Sequence, residues 1–144
     1  MSRGLQIHVQ IEIHSTPQAV WDALTKPELV KKYLFGTEMK ADWRVGGKIS
    51  YSGEWEGKRY EDKGEIKVFE PRKLFVSTYW SPFSGLPDAP ENYQTVSYRI
   101  TPQDDTVLLE LTQDNIKDEA ARTHSEENWK RVLEDLRAVA EAEA

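Results

Sequence analysis

The stretch Ile7-His8-Val9-Gln10-Ile11-Glu12-Ile13-His14-Ser15-Thr16-Pro17 decides the fold, because the chain changes its period inside it. Ile7, Val9, Ile11 and Ile13 alternate with His8, Gln10, Glu12 and His14, which predicts a strand with one buried face. Ser15 and Thr16 then offer a hydroxyl cap and Pro17 a fixed φ for a first helical position, and Val20, Trp21 and Leu24 share one helical face. Pro27 to Tyr33 repeats the proline start, so a second short helix is expected, ending near Gly36.

Beyond these helices, period two returns from Glu38 to Thr112. Gly46-Gly47, Glu56-Gly57, Pro71-Arg72 and Gln103-Asp104-Asp105 mark the reversals, cutting the stretch into six strands. The clearest are Lys48–Glu56, Tyr60–Glu70, Lys73–Trp80, Tyr93–Thr101 and Thr106–Thr112, and short connections make them antiparallel neighbours. Ser81–Glu91 carries Pro82, Gly85, Pro87 and Pro90, cannot hold a ladder, and reads as a long mobile loop. At the end, Trp129, Val132, Leu133, Leu136, Val139 and Ala140 form the stripe of an amphipathic helix from Glu126 to Ala140, with Ser125 or Thr123 as its cap. The expected architecture is α+β: a seven-stranded curved antiparallel sheet around a long C-terminal helix, with two short helices between strands one and two.

Composition narrows the function. The 144 residues fit one domain, 1–144. Nineteen Lys plus Arg against 25 Asp plus Glu give a net charge of −6, which disfavours nucleic acid and anionic lipid as partners. With no cysteine there is no thiolate nucleophile or cysteine-bound zinc, and a cytoplasmic location is expected. No segment has the length and apolarity of a membrane span, so membrane insertion is not expected either.

Several motifs, in order, resemble the family of activator of heat-shock protein 90 ATPase homologues in the START-like, helix-grip superfamily. They are Ser15-Thr16-Pro17 with Val20-Trp21-Asp22-Ala23-Leu24-Thr25 and Pro27-Glu28; Asp42-Trp43-Arg44-Val45-Gly46-Gly47; Gly64-Glu65-Ile66; Glu70-Pro71-Arg72-Lys73-Leu74; and Trp129 with Leu133 and Leu136. The chain departs from the family at Tyr33-Leu34, where a tryptophan pair is usual, and at Gln113-Asp114-Asn115, where a histidine-containing turn is common. Both departures are expected near a pocket mouth. The resemblance implies a pocket between sheet and helix that takes lipids, sterols, polyketides or hormones in many members and performs cyclase or hydrolase chemistry in a few.

The candidate pocket residues are Trp21, Tyr33, Phe35, Tyr51, Trp55, Val76, Thr78, Trp80, Tyr98, Leu109, Trp129, Val132 and Leu136, which converge if the alternation assigns faces correctly. Each alone reads more readily as core packing; together they suit a flat hydrophobic ligand. No catalytic residue, metal ligand or cofactor is expected. His8 and His14 lie on a polar strand face, and His124 just before the last helix. Glu54/Glu56 and Glu61/Asp62 read as solvated charge on a hairpin, and Arg44 as the partner of a structural carboxylate, Asp42 or one farther off, ahead of an acidic group on a ligand. The leading expectation is a binding module for a small hydrophobic or aromatic molecule, monomeric or homodimeric, with Ser81–Glu91 as a lid. A co-chaperone acting on a heat-shock protein 90 ATPase and a cyclase- or hydrolase-like enzyme are the alternatives. The co-chaperone is set lower because the chain opens on strand one, without the extra N-terminal domain of two-domain activators.

Overall fold

The structure, a computed structural model, describes residues 4–34 and 36–143, leaving aside the side chains at 55 and 83. Its elements run β1 (Leu5–Ile13), α1 (Pro17–Thr25), α2 (Pro27–Tyr33), β2 (Glu38–Ala41), β3 (Lys48–Trp55), β4 (Lys58–Glu70), β5 (Leu74–Tyr79), β6 (Gln94–Pro102), β7 (Val107–Ile116) and α3 (Glu119–Ala142). The strands form one antiparallel sheet in the order β1-β7-β6-β5-β4-β3-β2, so the first strand closes against the last. This curved sheet grips α3, as the expected helix-grip architecture requires.

Local chemistry sets the helix boundaries. Ala19 N donates to Thr16 Oγ1 at 3.1 Å at the start of α1, and prolines open α1 and α2, where a missing N–H costs nothing. The last helix starts seven residues earlier than its apolar stripe indicates: Asp118 caps it, accepting from Ala121 N at 2.8 Å, in place of Ser125 or Thr123. The added residues, Glu119–Ser125, carry no apolar stripe, so periodicity could not see them. At 24 residues α3 is about 36 Å long at ~1.5 Å per residue. β7 likewise continues past Thr112 to Ile116, pairing Gln113 with Val96 of β6 and Ile7 of β1.

β4 is the strand that turns the sheet. Its first half pairs β3, its second half pairs β5, and a register shift falls between Ile66 and Val68. Gly64 sits at this bend, where a Cβ would lie 1.7 Å from the Thr78 carbonyl oxygen, so only glycine allows the approach.

The core lies under the C-terminal half of α3: Val132, Leu133, Leu136 and Ala140 meet Ile13, Val20, Leu109 and Leu111. Trp21 packs on Phe69 and Phe75 with ring centroids 5.3 and 6.2 Å apart, and Trp43 stacks on Phe69 at 5.6 Å. None of the described helices is long and apolar enough to cross a membrane.

Candidate functional site

Beneath the N-terminal half of α3 the sheet and helix separate, leaving a cavity of about 280 Å³. The sheet contributes Tyr51, Tyr60, Asp62, Ser77, Tyr79, Val96, Tyr98 and Gln113; α3 contributes His124, Ser125, Asn128, Trp129 and Val132; and Leu34 and Thr37 close one side. The ladder explains this wall. Tyr51 stands opposite Asp62 across β3 and β4, and Ser77, Val96 and Gln113 form one row across β5, β6 and β7.

Two polar groups organise the wall. Gln113 is buried, and its Oε1 accepts from Ser125 Oγ at 2.6 Å and Trp129 Nε1 at 2.8 Å, while its Nε2 donates to Gln94 Oε1 at 2.6 Å. This side chain fixes the Trp129 ring, which meets Tyr98 edge-on with centroids 6.1 Å apart. The second group is Asp62. Tyr79 donates its hydroxyl to Asp62 Oδ2 at 2.5 Å, while Asp62 Oδ1 is buried with no hydrogen-bond partner. Burial pushes the Asp62 carboxyl above the ordinary carboxylate range, against the opposing pull of hydrogen bonds from Ser81 and Tyr79. Burial, then the Asp62 charge, push the phenols of Tyr51 and Tyr79 far above their usual value, and burial does the same at Tyr98. All three are neutral hydroxyls at physiological pH.

Of the residues expected to converge, Tyr51, Tyr98, Trp129 and Val132 line this cavity. Trp21, Leu109 and Leu136 are core instead, and Tyr33 is buried with its hydroxyl donating to the Ala23 carbonyl at 2.8 Å. Val76 and Thr78 lie on the other face of β5, and Trp80 follows its last residue. Thr78 Oγ1 accepts from Glu65 N at 2.9 Å, and Trp80 stacks on Tyr93 at 6.5 Å beneath the Lys63 ammonium. The alternation failed here because Leu74 to Trp80 is apolar or weakly polar on both faces. The register settles it, setting Phe75 against Tyr98 and Ser77 against Val96, so that odd positions face inward. Phe35 and the side chain of Trp55 fall outside what is described.

Sequence reasoning missed Asp62, Tyr60, Ser77, Tyr79, Gln113 and the polar residues of α3. A signal for Asp62 existed: Ile66 marks the inward face of β4, and counting back by two gives Gly64, Asp62 and Tyr60. Asp62 is thus separated from the solvated hairpin charge with which it had been grouped. Leu34 and Gln113, at the two departures from the family pattern, do border the cavity. Arg44 pairs with Asp42 at 2.7 Å as expected.

The Ser81–Glu91 segment does not line this cavity. It holds two 3-10 turns, Pro82–Ser84 and Pro90–Asn92, and is tied down by Trp80 Nε1 donating to Leu86 O at 3.2 Å, Tyr93 donating to Asp88 at 2.6 Å and the Lys63–Asp88 ion pair. It roofs a separate hollow of about 570 Å³ that shares only Tyr79, Gln113, His124 and Ser125 with the inner cavity. A shallow groove of about 1060 Å³ on the outer sheet face is lined by Lys40, Lys48, Glu61, Lys63, Glu65 and Lys67, whose charged heads suit water rather than a ligand.

Chemically, the inner cavity offers rings, neutral hydroxyls, the amides of Gln113 and Asn128, the His124 imidazole at its edge and one carboxylate. No cluster of metal-ligating side chains occurs among the described residues.

The comparisons agree with this fold. The family described as activator of Hsp90 ATPase homolog 1-like protein matches residues 14–141. The solution structure of ChR145 from Cytophaga hutchinsonii is 42% identical, covers 99% of this chain and 98% of its own, and superposes with a TM-score of 0.86. CalU16 from Micromonospora echinospora (22% identical, 96% and 77% covered, TM-score 0.74) and the Aha1 dimer from Colwellia psychrerythraea (18%, 95% and 96%, TM-score 0.75) share the fold. No curated protein matches the chain. The chain belongs to the activator of Hsp90 ATPase homolog 1-like family.

Proposed function

We propose that this protein binds a small hydrophobic or aromatic molecule in the cavity between the sheet and the N-terminal half of α3. The observation that carries the reading is the wall itself: Tyr51, Tyr60, Tyr79, Tyr98 and Trp129 surround a space of about 280 Å³. Ligand sites typically span roughly 300–1,000 Å³ and are lined by aromatic surface with a few placed polar groups. A volume just below that range selects a ligand of one or two fused rings rather than a long acyl chain.

Trp129 provides the readout, because its indole N–H is held by Gln113 at the cavity wall. In a two-dimensional ¹H–¹⁵N spectrum, 1-naphthylmethanol should move the Trp129 indole signal in a saturable way and leave that of Trp43 in place. No saturable shift of the Trp129 signal with any of a panel of one- and two-ring probes would reject the binding reading.

A further inference from the structure

The cavity contains a carboxylate that nothing in the cavity neutralises. Among the residues that line it there is no lysine or arginine, and His124 lies exposed at its edge. Lys63, next to Asp62 on β4, points to the opposite face, where it pairs with Asp88. Asp62 accepts from Tyr79 on Oδ2 and is also hydrogen-bonded by Ser81, both neutral hydroxyls, while Oδ1 remains a buried acceptor without a donor. The same cavity is lined by Tyr51, Tyr60, Tyr79, Tyr98 and Trp129, aromatic rings whose faces carry negative potential.

We infer that the ligand is an amine: a protonated nitrogen on a small ring-bearing body, paired with the Asp62 carboxylate while the body packs among Tyr51, Tyr98 and Trp129. This rests on the reading of the cavity as a binding site and names the class of its ligand. The chemistry selects among classes. An anionic ligand meets the Asp62 charge and no cation. A hydrocarbon leaves the Asp62 charge without a counter-charge or a further donor. A neutral alcohol supplies a donor but no charge, whereas an ammonium supplies both and is attracted to the aromatic wall. The raised carboxyl of Asp62 is consistent with a site that lacks its counter-charge until the ligand arrives.

Three probes of one shape separate these classes: 1-naphthylmethylamine, 1-naphthylmethanol and 1-naphthoic acid, titrated calorimetrically into the full chain and into Asp62→Asn at neutral pH. The wild type should bind the amine roughly tenfold or more tighter than the alcohol, the size expected of one charge-assisted hydrogen bond, with the acid weakest. Asp62→Asn should bring amine and alcohol to similar affinity. Equal binding of amine and alcohol by the wild type, or a preference for the acid, overturns the amine assignment while leaving the binding reading in place. Binding of none of the three overturns both. Should Asp62→Asn fail to fold by circular dichroism, the Asp62 carboxyl ¹³C resonance of the wild type decides. It should move with the amine and not with the alcohol; an equal response to both rejects the assignment.

Discussion

At the scale of single residues, Asp62 places a charge where burial works against it. Its folded-state carboxyl titrates above the ordinary aspartate value of about 3.9, which describes the unfolded chain. Below that value both states are protonated and Asp62 is neutral in its effect. As pH rises through the window between the unfolded and the folded values, the unfolded chain releases its proton first, so folding stability falls. Asp62→Asn carries no such proton. Its stability relative to wild type should therefore grow between about pH 4 and about pH 7, measured by urea denaturation at both. A difference that is constant or moves the other way would mean that the hydrogen bonds from Tyr79 and Ser81 outweigh desolvation.

At the scale of elements, α3 is two helices in physical terms. All its fully buried side chains, Val132, Leu133, Leu136 and Ala140, lie in the second half, while the first half borders hollows. The first half is held by its cap and by Gln113 through Ser125 and Trp129. Asp118→Ala should lower stability by about 1 kcal/mol. Hydrogen exchange should show the loss concentrated in residues 121–128, with residues 132–140 changed only by the global amount. Uniform acceleration would mean that α3 opens as one unit. The same division explains how much was legible in the sequence. β1, α1, α2 and the second half of α3 each couple an apolar stripe to a boundary signal, and they could be read. The first half of α3 has a cap but no stripe, and so stayed hidden. On β5 both faces are apolar enough to pass for buried, and only pairing with β6 distinguishes them. The site was half legible for this reason: Tyr51, Tyr98, Trp129 and Val132 follow from alternation, whereas Asp62 and Gln113 are polar residues on inward faces and violate the rule used to find those faces.

At the scale of the whole molecule, the grip is closed at one end and open at the other. Under the C-terminal half of α3, Leu136 is fully buried in a filled core; under the N-terminal half, Ser77 is buried beside an unfilled space. Ser77 stands between Ile66 and Val96 in the ladder, two apolar neighbours that would welcome a larger side chain. Ser77→Ile suits a strand backbone and directs its added carbons into the cavity instead of against packed atoms, so the overpacking that usually accompanies a larger core residue does not arise. It should stabilise the free protein by about 0.5–2 kcal/mol, the usual range for cavity filling, and weaken binding of 1-naphthylmethylamine. Leu136→Ala should do the reverse, destabilising by about 2–5 kcal/mol while leaving the probe's affinity within about threefold. Urea denaturation and titration of the two variants together test whether stability and binding belong to opposite ends of α3. If Ser77→Ile destabilised the fold, the space beside Ser77 would be too constrained to take even one added side chain, and a two-ring ligand could not occupy it.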